Sequence, residues 1–342
     1  MMQETEFLFD VNAEWESLPD GIDHVDVAAV GVDSGDRVYL FTRNQSLVLV
    51  FSRDGSFITS WGEGVFTNPH GLTVGPDDAI YCVDSGDHTV RKFTPDGDLL
   101  MTIGTPGSAS DTGYQRGPRT IVHHVEFVDH PGPPFNRCTN LAVAPNGDLY
   151  VADGYGNCRV HRFSPAGDLL GSWGEIGVGP GQFHLPHGIA AGPDERIYVC
   201  DRENDRIQIF DPLGGYVAEW TDVQRPDDIT FDAAGYAYVA ELWRPRGAGS
   251  FVHGTMREDH PGRVSVYDAR GGLAARWGAS TVNREAPGNF IAPHGIALDS
   301  AGDLYVAEVA HSQGRICGFR PRRPAHQIQK FTRVVPAAEG AR

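Results

Sequence analysis

Positive charge is scarce in this chain of 342 residues, where 28 Lys and Arg stand against 45 Asp and Glu, a formal charge of −17. A surface so short of cations repels phosphate backbones and anionic headgroups, which argues against nucleic acid or a membrane as the main partner. Long apolar runs are missing as well. Nowhere do the roughly 18 consecutive apolar residues of a membrane-spanning helix occur. The opening residues MMQETEFLFDVNAEW carry neither a basic nor an apolar signal region, so the expectation is a cytoplasmic protein. Cysteine is sparse: Cys82, Cys138, Cys158, Cys200 and Cys317 make an odd count with no C-x-x-C pair. They read as small buried hydrophobes rather than a disulfide framework. What is plentiful is turn chemistry. Glycine (42) and proline (23) are spread along the chain in turns such as Asp54-Gly55, Asp96-Gly97 and Asn146-Gly147, which argues against helical bundles and collagen.

The chain repeats itself. The stretch NPHGLTVGPDDAIYCVDSGDHTVRKFTPDGDLLMTIG (68–104) returns as LPHGIAAGPDERIYVCDRENDRIQIFDPLGGYVAEW (185–220) and as APHGIALDSAGDLYVAEVAHSQGRICGF (292–319). Weaker copies occupy 27–62, 138–174 and 226–243 with 262–278. Each copy reads as four short strands separated by turns, with a tyrosine fixed in the second: Tyr39, Tyr81, Tyr150, Tyr198, Tyr238 and Tyr305. Those tyrosines are expected to be core anchors between sheets. Six such units, none able to bury its own faces, predict an all-β, six-bladed β-propeller of four-stranded blades around a central channel. The pattern resembles the NHL-repeat family over roughly residues 25–332. That leaves 1–24 as an N-terminal segment, 333–342 as a tail, and 105–134 and 244–262 as insertions expected to wall a site.

Counting 11 residues back from each tyrosine reaches the start of the innermost strand: Ala28, His70, Thr139, His187, Asp227 and His294. The histidines fall on repeats two, four and six. In a closed six-fold ring alternate blades stand about 120° apart, so three imidazoles at one height aim at a common point on the axis. Three neutral imidazoles around an open fourth position are the ligand set of a catalytic zinc, with another divalent transition metal as the alternative. The end of the second strand shares that face and brings Arg43, Tyr155 and Arg202 there. Two guanidiniums beside a cation make sense chiefly if a substrate carboxylate lies between them. Beside them, the Tyr155 phenol could serve as a base.

These residues carry a closer resemblance, to the peptidyl-α-hydroxyglycine α-amidating lyases. PHGL at His70 and PHGI at His187 and His294 match that family's zinc histidines, Asp153-Gly154-Tyr155 its catalytic tyrosine motif, and Arg202 in DRENDRIQ with Arg43 in FTRN its two active-site arginines. Gly295 stands where the family has an Asp that helps bind a structural calcium, so a ligand for that calcium is missing, and the family's disulfides are not reproduced. The resemblance implies a zinc-dependent C–N lyase for an N-acyl α-hydroxyglycine-like carbinolamine, a small molecule or peptide bearing a carboxylate. On the reading of the residues themselves, Arg202, at the second-strand end of the blade that carries His187, is expected to hold the carboxylate and Arg43 to hold Tyr155. The alternatives are another metal-dependent lyase, hydratase or hydrolase of a small carboxylated compound, and a non-catalytic interaction propeller.

Overall fold

The apolar runs around the repeated tyrosines are strands. A computed structural model describes residues 7–115, 128–322 and 327–334, and each repeat within them forms a four-stranded antiparallel sheet. In chain order the inner strands are Val27–Val32, Pro69–Val74, Asn140–Val143, Pro186–Ala191, Pro226–Phe231 and Pro293–Leu298. The second strands are Val38–Thr42, Ile80–Asp84, Leu149–Asp153, Ile197–Asp201, Ala237–Glu241 and Leu304–Glu308. Every inner strand lies beside those of the blades before and after it, and the sixth lies beside the first, so the propeller is closed. Second strands are buried on both faces because a neighbouring blade covers each side. The repeated tyrosines are buried between blades, and Tyr39, Tyr238 and Tyr305 donate their hydroxyls to Asp33, Asp232 and Asp299 in the turns just before them.

Two parts of the sixth blade differ from the repeat reading. The run after Glu308 does not continue as a third strand; Ala310–Ile316 is a short helix, and the third strand is Ile328–Arg333. The fourth strand comes from the other end of the chain. Phe9–Asn12, within the segment that the repeats leave outside the propeller, pairs antiparallel with that third strand, from Phe9 opposite Arg333 to Asn12 opposite Lys330. Phe9–Asn12 and Ile328–Arg333 thus meet in one blade, and their hydrogen bonds complete its sheet. Among the described residues no helix is long and apolar enough to cross a membrane. All five cysteines are unpaired, and four of them are buried.

An acid at the end of the second strand sets the entry into each of blades two to six. Asp84 accepts from the amides of Thr67 and Asn68, Asp153 from Asn136, Asp201 from His184, Glu241 from Gln224, and Glu308 from Ile291 and Ala292. Each carboxylate therefore pins the segment that delivers its own blade's inner strand to the channel.

Lower in the channel, Asp228 accepts from Asn140 Nδ2 (2.9 Å) and from the amides of Ile229 (3.0 Å) and Ile296 (3.2 Å). Burial outweighs these bonds and pushes its carboxyl up to about 7. A folded-state value above that of the unfolded chain means that its stabilising contribution is complete at acid pH and is lost as pH rises towards 7. Asp228→Asn is therefore expected to gain stability relative to wild type on going from pH 5 to pH 7, by no more than about 1.4 kcal/mol per pH unit. Thermal denaturation of both proteins at several pH values checks this; a difference that does not change with pH contradicts it.

Candidate metal centre

The P-H-G motif has a structural cause. In blades two, four and six the inner strand slips register at the histidine, between Pro69 and Gly71, Pro186 and Ile189, and Pro293 and Gly295, as it also does at Ala28 in blade one and Asp227 in blade five. A bulge of this kind re-aims one side chain, here onto the axis. The glycine that follows lets the next blade approach: a Cβ on Gly71 would sit 2.6 Å from the Thr139 carbonyl oxygen, one on Gly188 2.5 Å from that of Asp227, and one on Gly295 2.8 Å from Ala29 Cα. That close approach supplies a hydrogen bond. Nδ1 of His70 donates to the carbonyl of Thr139, that of His187 to Asp227 and that of His294 to Ala28, each at 2.7 Å.

Thr139, Asp227 and Ala28 are the register positions of the blades without histidine. Odd blades therefore supply carbonyls and even blades supply imidazoles. With Nδ1 protonated, Nε2 of each ring keeps its lone pair. The three rings are buried, their centroids are 4.8–4.9 Å apart, and one nitrogen from each lies within 4.8 Å of the others. Burial first, then the neighbouring arginines and, for His70 and His187, the other imidazoles, holds all three well below the ordinary histidine range, so they stay neutral. A buried, neutral set of three imidazoles with fixed tautomers fits a zinc ion.

Tyr155 stands over this centre. Its hydroxyl donates to Nε2 of His70 at 2.9 Å and lies 3.2 Å from Nε2 of His187. The residues beside it must be small, since a Cβ on Gly154 would meet the Pro186 carbonyl at 2.1 Å and one on Gly156 the Asn136 side chain at 2.2 Å. Arg202 follows the second strand of the fourth blade in a single 3-10 turn, Arg202–Asn204, and its Cζ is 5.6 Å from the Tyr155 ring centre. Its charge is already matched: Nε donates to Glu203 (3.0 Å) and Nη1 to Asp227 (3.2 Å). Burial opposes that charge, but Tyr155, Asp227 and Glu203 outweigh it and keep the guanidinium protonated. Arg43 differs. Its Nε donates to the Pro69 carbonyl and its Nη1 to Ser312 Oγ, both at 3.2 Å, and it has no carboxylate partner among the described residues.

His70, His187, His294 and Tyr155 thus converge as the repeat register requires, with Arg202 against the phenol and Arg43 bonded to the carbonyl just before His70. The second-strand-end positions of blades five and six, Leu242 and Val309, are buried in an apolar cluster with Ala28 and Ala310 and present nothing polar. Described parts of both insertions rest on these turns: Thr112 Oγ1 donates to the Gly156 carbonyl at 2.6 Å, and Phe251 stacks on His184 with centroids 4.0 Å apart. His253 is 3.8 Å from Asp205 and His260 shares backbone bonds with Arg244, whereas His123 and His124 lie outside the described residues. Sequence reasoning missed Arg137, whose Cζ is 5.8 Å from the Tyr155 ring centre, and the pairing of Arg202 with Asp227; Glu203, next to Arg202 in sequence, was a visible partner. Asp227 was visible as a register position; nothing in the repeats marks Arg137.

Fold and centre together define a six-bladed propeller with a three-histidine site on its axis. The model of the NHL repeat matches residues 66–93, 135–163 and 183–210. The NHL repeat-containing protein 3 of Mus musculus is 30% identical over 302 residues, covering 83% of this chain and 77% of that protein. The chain belongs to the NHL repeat-containing proteins. Peptidyl-alpha-hydroxyglycine alpha-amidating lyase 1 of Drosophila melanogaster is 29% identical over 78% of this chain, which spans 47% of that protein. A streptogramin B lyase structure shares the fold, with a TM-score of 0.58 at 14% identity and coverage of 95% and 97% of the two chains.

Proposed function

We propose that this protein is a zinc-dependent lyase that cleaves the C–N bond of an N-acyl carbinolamine carboxylate, releasing an amide and glyoxylate or a related oxoacid. The observation that carries the reading is the Tyr155 hydroxyl within hydrogen-bond reach of two of the three imidazole Nε2 atoms that would hold the ion. The similarity to the fly lyase supports the same chemistry. Bound there, zinc would supply Lewis acidity toward the substrate hydroxyl.

The chain's own residues account for the rest. Tyr155 as phenolate takes the hydroxyl proton, the carbon–oxygen bond becomes a carbonyl, and the C–N pair leaves with the nitrogen. The proton gathered on Tyr155 is the one that the departing amide nitrogen requires. Arg202, held by Asp227 and Glu203, positions Tyr155 and offers positive charge to its oxygen. The carboxylate then falls to Arg43, the guanidinium of that pair without an acidic partner. This exchanges the two arginine roles expected from the sequence, because Arg202 is already engaged by Asp227, Glu203 and Tyr155.

The test compares an N-acyl-α-hydroxyglycine with its neutral amide. Wild type is expected to release glyoxylate from the acid, and Arg43→Gln to lower kcat/KM for the acid by roughly 10- to 150-fold, the loss of one charge-assisted bond of about 1.5–3 kcal/mol. Equal turnover of acid and amide by wild type would remove the carboxylate from the reading and point to hydration or hydrolysis of an uncharged compound.

A further inference from the structure

We propose that Arg137 reads a second anionic group of the substrate, carried on its acyl side; this rests on the lyase reading and names the substrate class more closely, a carbinolamine whose acyl chain ends in an acid.

The backbone around Arg137 is built to hold it. Phe135, Arg137 and His88 all adopt left-handed conformations (φ +59°, +66° and +64°), and the Arg137 amide donates to His88 Nδ1 at 2.9 Å. Three non-glycine residues in that region at one spot persist only where the surroundings over-determine them. Here they do. Phe135 is fully buried, and Asn136 is tied by its amide to Asp153 (2.8 Å) and by its side chain to the Ser110 carbonyl and Thr112 Oγ1 (3.0 Å each).

The outcome of this strain is a half-buried guanidinium that faces the ring of Tyr155, as Arg202 does. Arg202 is paired with Asp227 and with Glu203, which Arg225 shares; Arg137 has no carboxylate partner among the described residues. Partly desolvating a guanidinium that has no carboxylate partner is costly unless an anion arrives to meet it. A neutral carbonyl would not offset that charge.

Blade order says which part of the substrate supplies the anion. Arg43 belongs to blade one and Arg137 to blade three, on either side of His70 in blade two. With the carboxylate next to the reacting carbon taken by Arg43, a group at Arg137 lies on the Tyr155 side, beyond the C–N bond that breaks. Two separated cations in a chain of net charge −17 suit two separated anions.

N-succinylglycine and N-succinamoylglycine test this directly. Both lack the α-hydroxyl and cannot be cleaved, and they differ only in a terminal acid or amide. Calorimetric titration of the zinc-loaded wild type is expected to show the acid binding about tenfold or more tightly than the amide. Arg137→Gln is expected to lose most of that preference and Arg137→Lys to recover part of it. Equal affinities on wild type, no binding of N-succinylglycine, or an undiminished preference in Arg137→Gln each overturn the proposal. The wild-type comparison stands even if a variant misfolds. Failure of the lyase reading shows separately, as no glyoxylate from any α-hydroxyglycine whatever the binding preference.

Discussion

Replacing Tyr155 by Phe is expected to lower turnover by about 10²-fold or more while the bound metal stays in place. The substitution deletes one oxygen and keeps the ring, so the packing of Gly154 and Gly156 against their neighbours and the placement of both guanidiniums beside the ring survive. What is lost is the atom that hydrogen-bonds His70 Nε2 and, in the proposed reaction, takes the hydroxyl proton. The three imidazoles keep their carbonyl partners at Thr139, Asp227 and Ala28, none of which depends on the phenol. Metal per chain and kcat measured on the same preparation separate the two effects. Near wild-type turnover in Tyr155→Phe would remove this residue from the mechanism, and loss of metal with activity would make it a ligand rather than a base.

An equally large effect is expected from His187→Ala, this time on the metal itself. Disturbing a group that merely orients a ligand costs 10- to 100-fold in affinity, so deleting one of three ligands is expected to cost more than about 10²-fold. Metal content after dialysis should fall close to zero, with activity following. Because the three imidazoles share one geometry, His70→Ala and His294→Ala are expected to behave alike. Circular dichroism shows whether the propeller remains folded. Full metal content in His187→Ala would break the tripod.

The repeats made the centre legible because a closed ring converts sequence register into spatial position. Counting back from Tyr81, Tyr198 and Tyr305 reached the three histidines, and the ring guaranteed that they meet. The glycine after each histidine was visible as part of P-H-G, but its purpose was not. Only the neighbouring strand, at 2.5–2.8 Å from the would-be Cβ, shows why that residue is glycine. Features without a repeated counterpart stayed hidden. Phe9–Asn12 is four residues of mixed polarity whose partner strand, Ile328–Arg333, lies at the far end of the chain. The helix Ala310–Ile316 is inserted between the second and third strands of the sixth blade and has no counterpart in the other described blades. Arg137 owes its position to a left-handed turn that nothing local announces, since no glycine or asparagine occupies that residue. The division of labour between the arginines was only half readable: Glu203 beside Arg202 was visible as an ion-pair partner, whereas Asp227 is brought to it by another blade.

Glyoxylate release measured while zinc is titrated back into the chelated protein tests the central claim most directly. With an N-acyl-α-hydroxyglycine as substrate, release is expected to be absent without metal, to rise in proportion to bound zinc and to level off at about one ion per chain. Release that persists without metal, or a fully loaded protein that yields no glyoxylate from any α-hydroxyglycine, would contradict it.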